Sequence, residues 1–434
     1  MRYYLILIFF SFFFVNLQIK AQDSLFFRET IATLASPDFH GRGYAFKGDS
    51  IAADYIANKF KKFNLKQWTP DYYQPFNINM NVFEGDAAVS FGKGFSQPKL
   101  FENFQIMAYS CSMHGSFRVK SIKVEDILNN KIKTFSSDNN TFAYIDISML
   151  DMKDSMQLKI YNKIIETAFL NTLNFRGYIL VSKNLLSWRL ALGQKKTNHV
   201  TINITKDCFP KKPKNISVNL DSRYIHNYQT QNICGYVKGK TYPDSFFVFV
   251  AHYDHLGHFG NDYIFYGAND NASGTAFIID LARHYSKPEN QPDYSIAFFA
   301  VSAEEIGLLG SMYYVDNRFF PISKIKTVIN FDMVGTGEKG ITLVCGKAFP
   351  EEFKKIEDIN NTNQYLLKVL DREATNNSDH YPFYNEGAMV FFIYAMGDSG
   401  RYHHTSDQLE KMTLGGFTGI FKLITDYINL YKVE

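Results

Sequence analysis

Two adjacent glutamates, Glu304 and Glu305, follow the apolar run Ile296 to Val301 in "AFFAVSAEEIGLLGS". Carboxylates beside a buried strand are costly unless something pairs with them. Two other apolar runs end in similar chemistry. "SFFVFVAH" closes on His252 and continues "YDHLG", and "IKTVINFDM" carries Asp332 at its end. A glycine-rich turn, "GANDNASGTA", supplies Asp270, and a polar loop, "RYHHTSDQL", supplies His403 and His404. Taken singly, each has an ordinary explanation: a structural histidine, a helix cap at Asp270, an exposed strand end, an aspartate paired with arginine. Taken together they give two histidines and three or four carboxylates. That mix suits zinc or a similar divalent cation better than calcium, which prefers oxygen ligands alone.

The runs that carry these residues are nearly continuous rather than alternating. Such runs fit strands covered on both faces, as in a mainly parallel sheet with helices on each side. The helical patterns Ala272 to Tyr285 and Leu308 to Val315 supply crossovers. A last helix, Phe417 to Tyr431, places Phe417, Ile420, Phe421, Ile424, Ile428 and Tyr431 on one face. In open α/β sheets function gathers outside the carboxyl ends of the strands, so residues scattered in sequence are expected to converge there. Upstream, residues 22–66 read as two helical pieces broken by "SPDFHGRG", with Asp49 and Ser50 able to cap the second. Residues 106–225 form a different region, with the strand-like runs "FAYIDIS", "GYILVSK" and "HVTINIT" and a helical pattern from Met156 to Leu173. The expected fold is α/β: a three-layer αβα sandwich with a mixed, mainly parallel central sheet, plus an inserted subdomain. The expected division is 1–21, 22–105 as the first part of the main domain, 106–225 as the insert, and 226–434 carrying the metal site.

Composition narrows the class. The chain has 434 residues, 46% hydrophobic and 21% charged, with a formal net charge of +3. No basic run or basic/aromatic stripe is present, so a nucleic-acid partner is not expected. The first residues, "MRYYLILIFFSFFFVNLQIKAQ", pair an early cation with an apolar stretch shorter than the ~20 residues of a membrane span, and read as a signal peptide cleaved after Ala21. The mature protein is expected to be exported, to the periplasm or the medium, with no stable membrane association. Cys111, Cys208, Cys234 and Cys345 are far apart and in no metal-ligand spacing; disulfides and buried thiols are both compatible with export.

The segments "AHYDHLG", "GANDNASG", "SAEEIGLLGS", "NFDMVG" and "SDHYPFYNEGAMVFF…YHHTSDQL" resemble, in order, the motifs of the M28 family of two-zinc peptidases. The upstream "HGRGYAFKGDSIAADYIANKFKKFNL" is similar to that family's first helical region, and 106–225 stands where many relatives carry a protease-associated insert. The resemblance implies two Zn2+ ions. Asp270 would bridge them, with His252 and Asp332 on one and Glu305 and His403 on the other. His403 is preferred to His404 because relatives place this ligand four residues before an aspartate, here Asp407. Glu304 would be the general base, and Tyr402 would help stabilise the oxyanion. Asp254 would orient His252, while His255, His258 and His380 would stand at the rim or behind the ligands. Adjacent residues of an extended chain point in opposite directions, so one glutamate could bind metal while its neighbour faced the attacking water. The implied activity is hydrolysis of a peptide or protein substrate by an exopeptidase, an aminopeptidase first. Carboxypeptidase, dipeptidase, glutaminyl-cyclase and non-catalytic binding functions are the competing readings on this scaffold.

Overall fold

The computed structural model describes residues 24–129, 140–209, 211–398 and 402–432. The expected signal peptide and its cleavage site lie outside the described residues. Among the described residues, nine strands form one large mixed sheet. Its path runs Lys66–Gln67, Arg223–Val237, Tyr294–Val301, Tyr242–His252, Ile325–Phe331, Val390–Ala395, Ile341–Val344, Val369–Arg372, and Tyr73–Val82 pairs beside Arg223–Val237. The four central strands are mutually parallel. The register sets His252 against Val301, and Val250 against Asn330. The chain therefore leaves these strands at one edge of the molecule, just before or at His252, Glu304 and Asp332.

The apolar runs are continuous because both faces of this sheet are covered. Phe247, Phe249 and Ala251 face one core with Phe277, Phe417 and Ile424. Phe246, Val248 and Val250 alternate to the opposite core with Tyr314, Val315 and Phe383. Each buried phenylalanine contributes about 1.5–3 kcal/mol relative to exposure. One layer holds the helices Gly48–Lys62, Gly274–Tyr285 and Phe417–Asn429; the other includes Leu309–Asp316 and His380–Asn385. This is the expected three-layer arrangement. The last helix buries Leu423 and Tyr427 as well as Phe417, Ile420, Ile424 and Ile428, while Phe421 and Tyr431 are only half-buried. Asp49 does not cap its helix. It is buried in the first turn, where Tyr228 Oη and Thr230 Oγ1 donate to its carboxylate at 2.6 and 2.9 Å.

A second sheet has the order Ala87–Ser90, Asn215–Leu220, Met113–Ile122, Thr141–Asp146, Gly177–Ser182, Val200–Thr205, Phe104–Ile106. The three expected runs are its parallel centre. The helix Ser155–Leu170 packs on it, capped by Asp154, whose carboxylate accepts from the Met156 and Gln157 amides. Ala87–Ser90 and Phe104, which precede the expected 106–225 segment, also pair in this second sheet. At the far end, Arg223–Val237 crosses the expected boundary at 225 and pairs in the large sheet. The two sheets share a core in which Phe101, Trp188 and Leu190 meet Phe259, Phe265 and Ile306. All four cysteines are buried free thiols.

Candidate metal centre

His252 is the last residue of its strand and is buried. Its Nδ1 lies 3.1 Å from the Asp254 carbonyl oxygen, which can only accept, so Nδ1 carries the proton and Nε2 is left facing the site. From Nε2 it is 3.5 Å to Asp270 Oδ1 and 3.5 Å to Asp332 Oδ1. The other oxygen of Asp332 accepts from Ser378 Oγ at 2.7 Å, and Ser378 accepts in turn from Asn330 Nδ2 at 2.7 Å. The Asp254 carboxylate stands beside the same nitrogen, Oδ1 3.8 Å from His252 Nδ1. It also receives the Glu304 and Glu305 amides at 3.2 and 3.4 Å and the Tyr44 hydroxyl at 2.9 Å.

Those two amide bonds shape the Glu304–Glu305 pair. The strand ends at Val301, Ala303 takes a positive φ of 59°, and the glutamates sit in a turn closed by Gly307 and Leu308 amides on the Glu304 carbonyl. The two side chains diverge because of this turn rather than because of strand alternation. Glu304 places a carboxylate oxygen within 4.8 Å of His252 and Asp332 ligand atoms, whereas Glu305 joins Asp270. His255 Nδ1 donates to Glu305 Oε1 at 2.7 Å, and Glu305 Oε2 is 3.1 Å from His403 Nε2. His255 is thus fully buried against Glu305 and is not a rim residue. His403 Nε2 is also 3.3 Å from Asp270 Oδ2. His404 turns to Ser406, with Nδ1 2.9 Å from its hydroxyl.

Asp270 stands between the two histidines, Oδ1 toward His252 and Oδ2 toward His403. Its loop is fixed from three directions. Asp407 accepts from the Asn269 and Asp270 amides at 2.9 and 3.0 Å. Asn271 donates to the Phe331 carbonyl and accepts from the Gly274 amide, both at 2.9 Å. The buried Arg42 guanidinium donates to five carbonyls, those of Leu34, Tyr253, Tyr266, Gly267 and Asp270. Gly274 is required here, since a Cβ would stand 2.1 Å from the Phe331 carbonyl oxygen. The Asp270–Asn271 peptide bond is cis.

The residues fit divalent cations on two counts. Ligand atoms about 2.0–2.1 Å from a tetrahedral zinc are separated by ~3.3 Å, and the four donor separations are 3.5, 3.5, 3.3 and 3.1 Å. Asp270 Oδ2 and His403 Nε2 are moreover buried without a hydrogen-bond partner. The cluster also calls for positive charge. Burial alone would lower the His403 pKa, yet Glu305 and Asp270 outweigh it and hold it at about 11. His252 is likewise raised against burial, by Glu304 and Asp332. Burial opposes ionisation of Glu305 too, but His403 and His255 hold it well below the usual carboxylate range. Glu304 goes the other way: burial pushes it well above, against the pull of His252.

Tyr402 is 57% exposed and stacks on His403 with ring centroids 3.8 Å apart. With His403 and His404 it lines a cleft of about 640 Å³ whose opposite wall, Phe101, Gln105 and 184–187, comes from the insert side of the molecule. His258 lies off the cluster against His40, Nε2 to Nδ1 3.2 Å, and His380 is buried beside Phe392.

Residues 232–428 match the model of peptidase family M28. This stretch is an M28 peptidase domain. It contains all the residues just described except Leu34, His40, Arg42, Tyr44 and the insert-side wall of the cleft. The chain is 33% identical over 160 residues to leupeptin-inactivating enzyme 1 of Streptomyces exfoliatus, which covers 35% of this chain and 33% of that one. It is 32% identical over 197 residues to aminopeptidase YwaD of Bacillus subtilis (strain 168), covering 43% and 41% respectively. The matched stretches thus span only a third to two fifths of these curated relatives. The M28 domain and the insert together share their fold with a zinc aminopeptidase from Bacillus subtilis (TM-score 0.68, 19% identity, 93% of this chain and 94% of that one). A peptidase M28 precursor from Shewanella amazonensis SB2B is similar in fold as well (TM-score 0.66, 18% identity, 95% and 98%).

Sequence patterns missed Arg42, Ser378, the hold of His255 on Glu305 and the clamp of Asp407 on the Asp270 loop. Ser378 and Asp407 stood inside quoted motifs, so the signal was present without a role attached. Among the described residues no helix is long and apolar enough to cross a membrane.

Proposed function

We propose that the protein is an exported zinc-dependent exopeptidase with a dinuclear centre, acting as an aminopeptidase on peptide substrates. The observation that carries this reading is the placement of Asp270, one oxygen toward His252 and Asp332, the other toward His403 and Glu305. His252 and Asp332 would hold one ion, Glu305 and His403 the other, and Asp270 both. When bound, such a pair polarises the scissile carbonyl and acidifies water.

The remaining work falls to the chain's own side chains. Glu304, raised by burial and divergent from Glu305, takes the proton from the attacking water and returns it to the leaving amine. Tyr402 projects its ring beside His403 at the cleft, where its hydroxyl donates to the developing oxyanion. His255 occupies one oxygen of Glu305, leaving the other for metal. Asp254 holds both glutamate amides, so the base and the ligand keep their relative orientation.

The test is Glu304→Gln, assayed on aminoacyl and N-blocked peptide substrates with zinc content measured in parallel. The reading expects unchanged zinc and activity on free N-termini reduced by orders of magnitude. Cleavage of N-blocked substrates alone would keep the hydrolytic chemistry and remove the aminopeptidase assignment. A single bound zinc together with cyclisation of N-terminal glutamine would favour a glutaminyl-cyclase activity instead.

A further inference from the structure

The two halves of the candidate centre are supported differently. On the His252 side, the outer contacts come from within the M28 domain: the Asp254 carbonyl on His252 and Ser378 on Asp332. On the His403 side, two come from the insert. The Trp188 carbonyl oxygen lies 2.6 Å from His403 Nδ1. A carbonyl only accepts, so Nδ1 donates to it and Nε2 is the nitrogen turned to Asp270 and Glu305, the one a cation would take. Gln194 Nε2 donates to the carbonyl of Ile306, the residue after Glu305, and Tyr224 donates to the Gln194 carbonyl in turn.

Trp188 is built to hold that carbonyl still. The residue is buried, its indole Nε1 donates to the Ile106 carbonyl at 2.8 Å, and its ring stacks on Phe265 at 5.4 Å and 10°. Phe259 and Phe101 close on it edge-on. A segment with only a covering role would need neither the indole bond nor a carbonyl aimed at an imidazole.

We infer that Trp188 is a positioning residue for one metal position only, so that docking of the inserted subdomain sets occupancy of the Glu305/His403 position and leaves the His252/Asp332 position alone. The inference rests on the dinuclear reading above. It has a reciprocal consequence: because binding energies are linked, a cation at the Glu305/His403 position must in turn tighten the 184–195 segment.

The experiment is chelator competition for zinc, giving stoichiometry and stepwise affinities for wild type, Trp188→Ala, Trp188→Phe and Gln194→Ala, with hydrogen exchange over 184–195 at zero, one and two equivalents of zinc. Trp188→Ala should weaken one zinc by about 10–100-fold, the usual effect of losing an outer contact, while the other keeps its wild-type affinity. Trp188→Phe keeps the ring on Phe265 and should restore most of that loss. Gln194→Ala, at a half-buried site and with no core side chain removed, should weaken the same zinc by a smaller factor, and exchange over 184–195 should slow with one equivalent of zinc and not with the other. If Trp188→Ala and Gln194→Ala bind two zincs with wild-type affinities, or weaken both equally, the inference is overturned while the dinuclear reading stands. If the wild type itself binds fewer than two, the dinuclear reading fails and takes this inference with it.

Discussion

Replacing Arg42 by lysine separates what its charge does from what its shape does. The guanidinium is fully buried and donates to the carbonyls of Tyr253, Leu34, Tyr266, Gly267 and Asp270 at 2.8, 2.9, 2.8, 2.7 and 3.2 Å. Burial pushes its pKa down to about 10, against the pull of Asp270, Asp407 and Asp254, so it stays cationic at neutral pH. A lysine keeps the charge but offers three donors from one point, not a planar fork. At least two of the five carbonyls therefore lose their partner. At about 1.5–3 kcal/mol for each bond to a charged donor, the loss is ~3–6 kcal/mol. For a chain of this size, with an unfolding entropy of about 2.1 cal/mol/K per residue, that corresponds to a fall in Tm of roughly 3–7 °C. Differential scanning calorimetry of Arg42→Lys and Arg42→Met, each with and without zinc, reads the effect. Arg42→Lys should fall by that amount and Arg42→Met further. Zinc affinity should drop with both, because the Gly267–Asp270 turn loses its anchor. An Arg42→Lys protein within about 2 °C of wild type would refute the reasoning, since it would mean that charge alone is what the site requires.

Ser378→Ala removes the hydroxyl that fixes Asp332 and should weaken one zinc by about 10–100-fold, opposite in site to the Trp188 variants; unchanged stepwise affinities in a chelator titration would count against this role. Asp49 is raised by burial to about 6 despite accepting from Tyr228 and Thr230, so its folded pKa lies above the unfolded value. The stability tied to its protonated form is present below about pH 4 and is lost as pH rises through about 6, by about 3 kcal/mol for two pKa units. The Tm advantage of Asp49→Asn over wild type should therefore grow between pH 4 and pH 7; a constant difference would contradict it. His255→Asn should leave the fold intact and lower affinity for the zinc expected at Glu305, read in the same titration.

What the sequence discloses best is what side-chain type and period determine. Three apolar runs are the central parallel strands because both faces are covered, and His252, Glu304, Glu305 and Asp332 follow from where those runs stop. The contacts that orient them are harder to see. The carbonyls of Asp254 and Trp188 carry no residue-type signal, because every residue has one. The Asp254 carboxylate, expected on His252 and 3.8 Å from it, also holds the Glu304 and Glu305 amides, where the positive φ of Ala303 turns the chain back. Ala87–Ser90 and Phe104–Ile106 were not read as strands of the second sheet because they are short, with little pattern of their own; they are recruited by the partners Asn215–Leu220 and Val200–Thr205. Arg42 lies in a turn, "HGRG", whose sequence says only that the chain bends there.

The central claim is that Asp270 joins two metal positions. Crystals grown with zinc and measured on both sides of the zinc absorption edge test it directly. The account predicts two anomalous peaks about 3.5–4 Å apart. One should lie within about 2.0–2.2 Å of His252 and Asp332, the other equally close to Glu305 and His403, each with one Asp270 oxygen. A single peak, or two peaks that do not share Asp270, would contradict it.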